Sequence, residues 1–282
     1  MEGVTVRQNS LLPTLNRGVV FANEILKNDI IPSMSKEYAS YIEDSKFIKV
    51  NSYIRITTEN LYIDLHPESK LGFYNKNERL EFKCANSFEV GEILVFSPKL
   101  AVAESSKEIV YYDGKKMDHD LAWLLGFCLN YSKGQFIEPA YLKRANEIAD
   151  QFSYSLDELV LKLGGIIPKE IYCCKSDIIL KFFTGMKSPI TSIPYILVGN
   201  GNYEQCMNAV VLLSAIGVKS KIIEYLNSYA IMLAPNTNKS KIIKIETRND
   251  DENFYNITTK SIKSNRQMNC TYVNGLMVEL NL

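Results

Sequence analysis

Histidine is nearly absent: the 282 residues hold two, together with a single tryptophan, and none of the six cysteines stands in a CxxC pair. A structural zinc site draws on Cys and His at short spacings, so this supply argues against one. Cys84, Cys128, Cys173, Cys174, Cys206 and Cys270 are scattered. They read as buried thiols of a cytosolic protein, and the adjacent Cys173 and Cys174 are badly placed to bridge each other. No apolar run approaches the roughly 18 residues that a membrane-spanning helix needs. The N-terminus, Met1-Glu2-Gly3-Val4-Thr5-Val6-Arg7, lacks the apolar core of a signal peptide. A cytoplasmic, nucleoplasmic or viral-factory location is expected, not secretion. Basic residues are not in excess, at 32 against 32 acidic ones. Proteins that live on DNA usually carry an excess, because phosphate neutralisation dominates their affinity. With 14 Gly and 9 Pro the chain is too poor in both for a linker or a disordered protein.

What is present is apolar and aromatic: 46% hydrophobic residues, with 17 Tyr and 12 Phe. That supports a real core and suits strands. Residues 1–116 read as β. Apolar and polar residues alternate from Phe47 to Ile56, and further runs cover Leu61–Leu65 and Glu92–Phe96, with turn signals at Asn60 and at Asn75-Lys76-Asn77. Residues 117–240 differ. Helices are expected over Asp120–Leu129, Ala140–Phe152, Ser155–Leu163, Ser176–Met186 and Tyr203–Ile216. Ser155 and Glu158 form a capping box, and Gly217 stops the last helix. Lys219–Leu233 reads as a strand pair around Asn227-Ser228. Residues 241–282 return to β, with strands over Lys241–Glu246 and Tyr272–Leu280. The order β, then mainly α, then β suggests an insertion into one parent domain.

Short blocks in both outer segments resemble the Hint fold of inteins and hedgehog autoprocessing domains. The stretch Asn9 to Ile25 is similar to the opening strand, glycine turn and helical turn of an intein. Ile56-Thr57-Thr58-Glu59-Asn60 with Ile63-Asp64-Leu65-His66-Pro67 resembles the "TENG … TPDH" segment, and Ser87 to Val95 resembles "ELKVGDYLV". Near the end, Phe254-Tyr255-Asn256-Ile257-Thr258 looks like "VYDLT". Tyr272-Val273-Asn274-Gly275-Leu276-Met277-Val278 looks like the "FVANGIVV" that precedes an intein's final His-Asn. The centre resembles a LAGLIDADG homing endonuclease. Leu121 to Ser132 is close to "LAWLLGLYLADG". Ile167 to Ile171 with Ile179 to Met186 is close to "IPEEI … FLRGLF", and Leu212 to Val218 matches "LLLSLGI". Six or seven such blocks in order span nearly the whole chain.

The resemblance implies where chemistry would sit. Splicing needs a Cys or Ser nucleophile at the first intein position, where Thr5 stands. His66 fits the histidine that assists the first acyl shift. The closing His-Asn pair is replaced by Glu279 and Leu280, with Asn281 one residue further on. DNA cleavage needs one carboxylate at the end of each LAGLIDADG helix, to share Mg2+ ions. The glycine register puts those positions at Tyr131 and Ile190, neither of which is a hard oxygen anion. The strands that form the family's DNA saddle are also short of room, because only Ser132 to Glu138 separates the first motif from the next helix. Residues 117–245 carry 13 Lys/Arg and 11 Asp/Glu.

Four cations, Lys143, Arg144, Lys219 and Lys221, are candidate phosphate contacts, against the plainer reading of a solvated face. Gly199-Asn200-Gly201-Asn202 precedes a helix and suggests an anion-binding loop or, lacking the Lys-Ser/Thr ending of a phosphate loop, a turn. His119 reads as a solvated residue before a helix, and Met186, Met207 and Met232 as core. The reading is of an α+β protein. A β-rich Hint-like domain is formed by 1–116 and 241–282, and a LAGLIDADG-like domain of 117–240 is inserted in it. The protein is expected to be a catalytically inactive subunit of a protein complex, with no cofactor. The alternatives are a DNA-binding protein or endonuclease with displaced Mg2+ ligands, and a residual self-splicing element. The Asn, Ile and Lys bias suggests an AT-rich genome, as in viruses and mobile elements.

Overall fold

Alternation in the first hundred residues becomes ten strands: β1 (Val4–Arg7), β2 (Leu11–Thr14), β3 (Gly18–Phe21), β4 (Ile30–Pro32), β5 (Ala39–Val50), β6 (Tyr53–Thr58), β7 (Tyr62–Leu65), β8 (Lys70–Tyr74), β9 (Leu80–Cys84) and β10 (Ile93–Val95). The computed structural model describes residues 4–32, 39–96, 109–131, 137–187, 195–198, 201–233, 238–261 and 270–280. A small hairpin, β11 (Tyr111–Tyr112) and β12 (Lys115–Lys116), leads into α1 (His119–Asn130), α2 (Pro139–Gln151), α3 (Leu156–Leu163), α4 (Lys169–Tyr172) and α5 (Ser176–Lys187). Then come β13 (Tyr195–Leu197), α6 (Tyr203–Ala215), β14 (Ser220–Tyr225) and β15 (Ser228–Leu233). The chain closes with β16 (Lys239–Arg248), β17 (Glu252–Ser261), β18 (Cys270–Val273) and β19 (Leu276–Glu279). No helix among the described residues is long and apolar enough to cross a membrane.

Strands from both chain ends share one antiparallel sheet of twelve, in the order β18-β19-β8-β10-β16-β6-β7-β1-β17-β5-β4, with β9 beside β8. Its two margins curl together, and the Thr271 hydroxyl of β18 donates to the Pro32 carbonyl of β4 at 3.0 Å. Hairpin β2–β3 is tied in by the Asn274-Gly275 turn. Asn274, buried and at positive φ, accepts from the Leu11 N–H at 2.7 Å and donates to the Tyr62 carbonyl at 3.2 Å. The middle of the chain builds its own three-stranded sheet, β13-β15-β14.

Several expectations need correction. The run from Phe47 to Ile56 is two strands, because the chain bends at Asn51-Ser52 and the halves take different partners: β5 pairs β17, while β6 pairs β16 and β7. Tyr272–Leu280 is a hairpin, since Asn274 and Gly275 both take positive φ. α3 forms as expected, but the Ser155 side chain makes no capping bond. Cys84 and Cys173 are half-buried, whereas the other four thiols are buried. Met186 and Met207 are core, and Met232 is half-buried. Gly217, at φ 79°, follows the end of α6 as expected.

One apolar cluster runs through the whole structure. At its centre lies α1, in which every residue from Leu121 to Asn130 is buried. A helix apolar all round must be covered all round; α5, α2 and α3 pack against it. α4 and α6 rest on hairpin β2–β3. A Cβ at Gly18 would lie 2.8 Å from the Tyr172 carbonyl oxygen, so only glycine allows that approach.

Candidate functional site

Of the four positions that the resemblance implies for splicing, Thr5 lies in β1 and Glu279 in β19, well apart in the strand order, while His66 and Leu280 follow the ends of β7 and β19. Thr5 lies buried in β1, opposite Asn256 of β17, and its hydroxyl donates to Asn256 Oδ1 at 3.3 Å. The turn after β7 carries His66 to Ser69, and the Ser69 hydroxyl reaches the Thr5 carbonyl at 3.5 Å. Lys70 opens β8 and pairs with Glu279 of β19 at 2.7 Å, which raises the lysine above its usual range. Thr5, His66 and Glu279 are thus linked through Ser69 and Lys70, while Leu280 is buried apolar surface. An amide oxygen is no general base for a hydroxyl, and a carboxylate neutralised by lysine is a poor one. The His66 Nδ1 accepts the Glu68 N–H at 3.3 Å, so this ring caps its own turn.

Beside them sits a buried ion cluster that sequence reading missed. Asp64 in β7 is 1% exposed. It accepts from Arg55 Nε and Nη2, both at 2.7 Å, and from Arg7 Nη1 at 3.0 Å. Arg7 also pairs with Glu252. Hydrogen bonding to Asp64 holds the Arg55 guanidinium above its usual range. Burial opposes the charge on Arg7, but Asp64 and Glu252 outweigh it and its pKa is raised. Two guanidinium groups are what a carboxylate needs to leave water. The only sequence signal was a charged residue inside an otherwise apolar strand, Tyr62-Ile63-Asp64-Leu65.

The helix pair α1 and α5 carries the other implied chemistry. A Cβ at Gly126 would lie 1.9 Å from the Phe182 carbonyl oxygen, and one at Gly185 would lie 2.0 Å from that of Trp123. The partners are reciprocal: each glycine faces the residue three before the other, and each Cβ would sit 3.0 Å from the amide nitrogen just after the opposing glycine, Met186 or Phe127. The helices therefore touch backbone to backbone about a local two-fold. Tyr131, at the position for the first carboxylate, stacks on Phe127 at 5.6 Å, which in turn stacks on Trp123 at 5.4 Å. Asn130 spends its amide on the Met186 carbonyl at 2.8 Å. Ile190 lies outside the described residues. Phenol, amide and hydrocarbon side chains do not suit Mg2+, which takes carboxylate and water oxygens. No group of three His, Cys, Asp or Glu placed to hold a metal occurs among the described residues.

Two of the four candidate phosphate contacts are engaged at home. Arg144 lies over the Trp123 ring at 4.4 Å and pairs with Asp120 at 3.4 Å, and Lys143 pairs with Glu147 at 3.8 Å. Lys219 is half-buried, and Lys221 is exposed on β14. Gly199 and Asn200 lie outside the described residues. Asn202 caps α6, accepting from the Glu204 and Gln205 N–H groups at 2.9 and 3.3 Å, and so occupies donors an anion would need. His119 is not simply solvated; it begins α1 and bonds Asp177 of α5 at 2.8 Å. A cavity of about 290 Å³ beside it is lined by Lys116, Lys175, Asp118 and Asp177, charges of both signs.

No protein-family model matches the chain, and no curated protein matches it. Among solved structures, the chain is similar to a variant of the Ssp DnaB mini-intein at 9% identity and a TM-score of 0.42, with 100% of this chain and 96% of that one covered. It is also similar to the solution structure of a bacterial intein-like domain from Clostridium thermocellum, at 8% identity and a TM-score of 0.36, with 98% and 97% covered.

Proposed function

We propose that the chain is an intein-derived scaffold that has kept the framework of both parent activities, has lost their chemistry, and serves as a binding or structural subunit of a larger protein complex. In this reading residues 1–116 and 241–282 form a Hint-like β domain, and residues 117–240 form a LAGLIDADG-like insertion. The observation that carries it is the reciprocal seating of Gly126 and Gly185. Close helix approach about a two-fold is what two metal-sharing motifs require, yet the glycine register of the sequence gives the two metal-binding positions to Tyr131 and Ile190, neither of them a carboxylate. Thr5 and Glu279, reached by Ser69 and Lys70 of the segment that follows His66, support the same reading for splicing. Balanced charge, together with home partners for Lys143 and Arg144, favours a protein partner over DNA.

The test is chemical. The purified full chain is incubated with a pool of duplex DNA and Mg2+, and its own mass is followed alongside. Intact DNA and an unchanged 32.1 kDa chain are expected. Mg2+-dependent cuts at a defined sequence would replace the proposal with an endonuclease, and a shortened chain would replace it with a self-processing element.

A further inference from the structure

The middle of the chain meets the large sheet along a column of side chains that no lost activity explains. Asp64 fixes the Arg55 guanidinium with two bonds of 2.7 Å. That guanidinium lies 4.3 Å from the centroid of the Tyr62 ring. Tyr62 stacks on Tyr203, the first residue of α6, at 6.2 Å between centroids and 15° between planes. Tyr203 meets Tyr229 of β15 edge-on at 4.9 Å and 78°. The column thus passes from β7 and β6 of the large sheet, through the start of α6, to the three-stranded sheet. Burial pushes Tyr203 up to about 12 and raises Tyr62 also, so both rings stay neutral at physiological pH. Two further contacts flank it: Asn9 Nδ2 reaches Glu204 at 3.2 Å, and Phe21 of β3 packs on Tyr172 of α4 at 5.2 Å.

We infer that the Arg55–Tyr62–Tyr203–Tyr229 column, seated on Asp64, is a latch that holds α6, β14 and β15 to the large sheet, so that the middle segment and the sheet present one rigid surface. A planar guanidinium is required at its base. Only the planar group can bond Asp64 bidentately and still lie flat on a ring; a lysine ammonium keeps the charge and loses the platform. The inference stands whether or not the chain descends from an intein.

Hydrogen exchange on the full chain tests it. In Arg55→Lys, altered only on the sheet side, amide exchange across the junction in α6 and β15 is expected to rise about tenfold, while the hairpin β8–β9 stays protected. Tyr203→Leu, altered on the other side, is expected to do the same, and Tyr203→Phe to retain protection because its ring remains. The latch is overturned if Arg55→Lys and Tyr203→Leu each perturb only their own strand or helix, or if exchange rises equally over the whole chain. Should Arg55→Lys not fold, Tyr203→Leu against Tyr203→Phe decides alone.

Discussion

Asp64 shows how one residue can reverse its expected meaning. Inside an apolar strand a carboxylate is costly, and the cost is offset only because Arg7 and Arg55 both reach it. Asp64→Asn keeps the shape but leaves Arg55 without its counter-charge and Arg7 with Glu252 alone. It is expected to destabilise the fold by about 3–5 kcal/mol, as breaking a buried pair does. Urea denaturation should show a lower midpoint with an unchanged slope; a change under about 1 kcal/mol would mean that the arginines are already solvated. The residue types were legible here, but their grouping was not. Arg7, Arg55, Asp64 and Glu252 are brought together by three strand pairings, of which the pairing of β1 with β17 links positions some 250 residues apart. No local period encodes such a pairing. The partners of Arg144 and His119 were hidden for a related reason: each is exposed on its own helix and meets an acid on a neighbouring one, Asp120 or Asp177.

At the scale of elements, local signals served well where a helix contains its own pattern. The apolar periods of α1, α2, α5 and α6 place them within a residue or two of their observed ends. Strand β8 escaped notice because Lys70-Leu71-Gly72-Phe73-Tyr74 lacks clean alternation, whereas β9, Leu80-Glu81-Phe82-Lys83-Cys84, alternates and went unread. The four-residue α4 is too short to show a period. The glycines of α1 and α5 were legible as motif letters, and the structure supplies their reason. In an exposed helix Gly126→Ala or Gly185→Ala would stabilise by about 1 kcal/mol. Here the new methyl meets backbone at 1.9 or 2.0 Å, and backbone cannot rotate away. Each substitution is expected to cost about 3 kcal/mol or more, at or beyond the upper end of ordinary overpacking. Thermal unfolding measures this, and a raised melting temperature in either variant would contradict the close approach.

For the whole molecule, the order β, then mainly α, then β is that of the observed elements. Both chain ends do join one sheet, and the middle does form a sheet of its own. The sequence did not show how firmly the two are joined. A single apolar core passes from one to the other, and glycine at position 18 lets α4 come down onto hairpin β2–β3. A firm body of this kind, with balanced charge, is suited to a fixed place in an assembly.

The most direct test is to isolate the tagged chain from its native host, treat half of the sample with nuclease, and weigh what remains by native mass spectrometry. The account predicts a full-length chain in a complex of defined protein composition, identical in both halves. A chain found alone after nuclease treatment, having been bound to DNA before it, would contradict the account and restore a DNA-binding role.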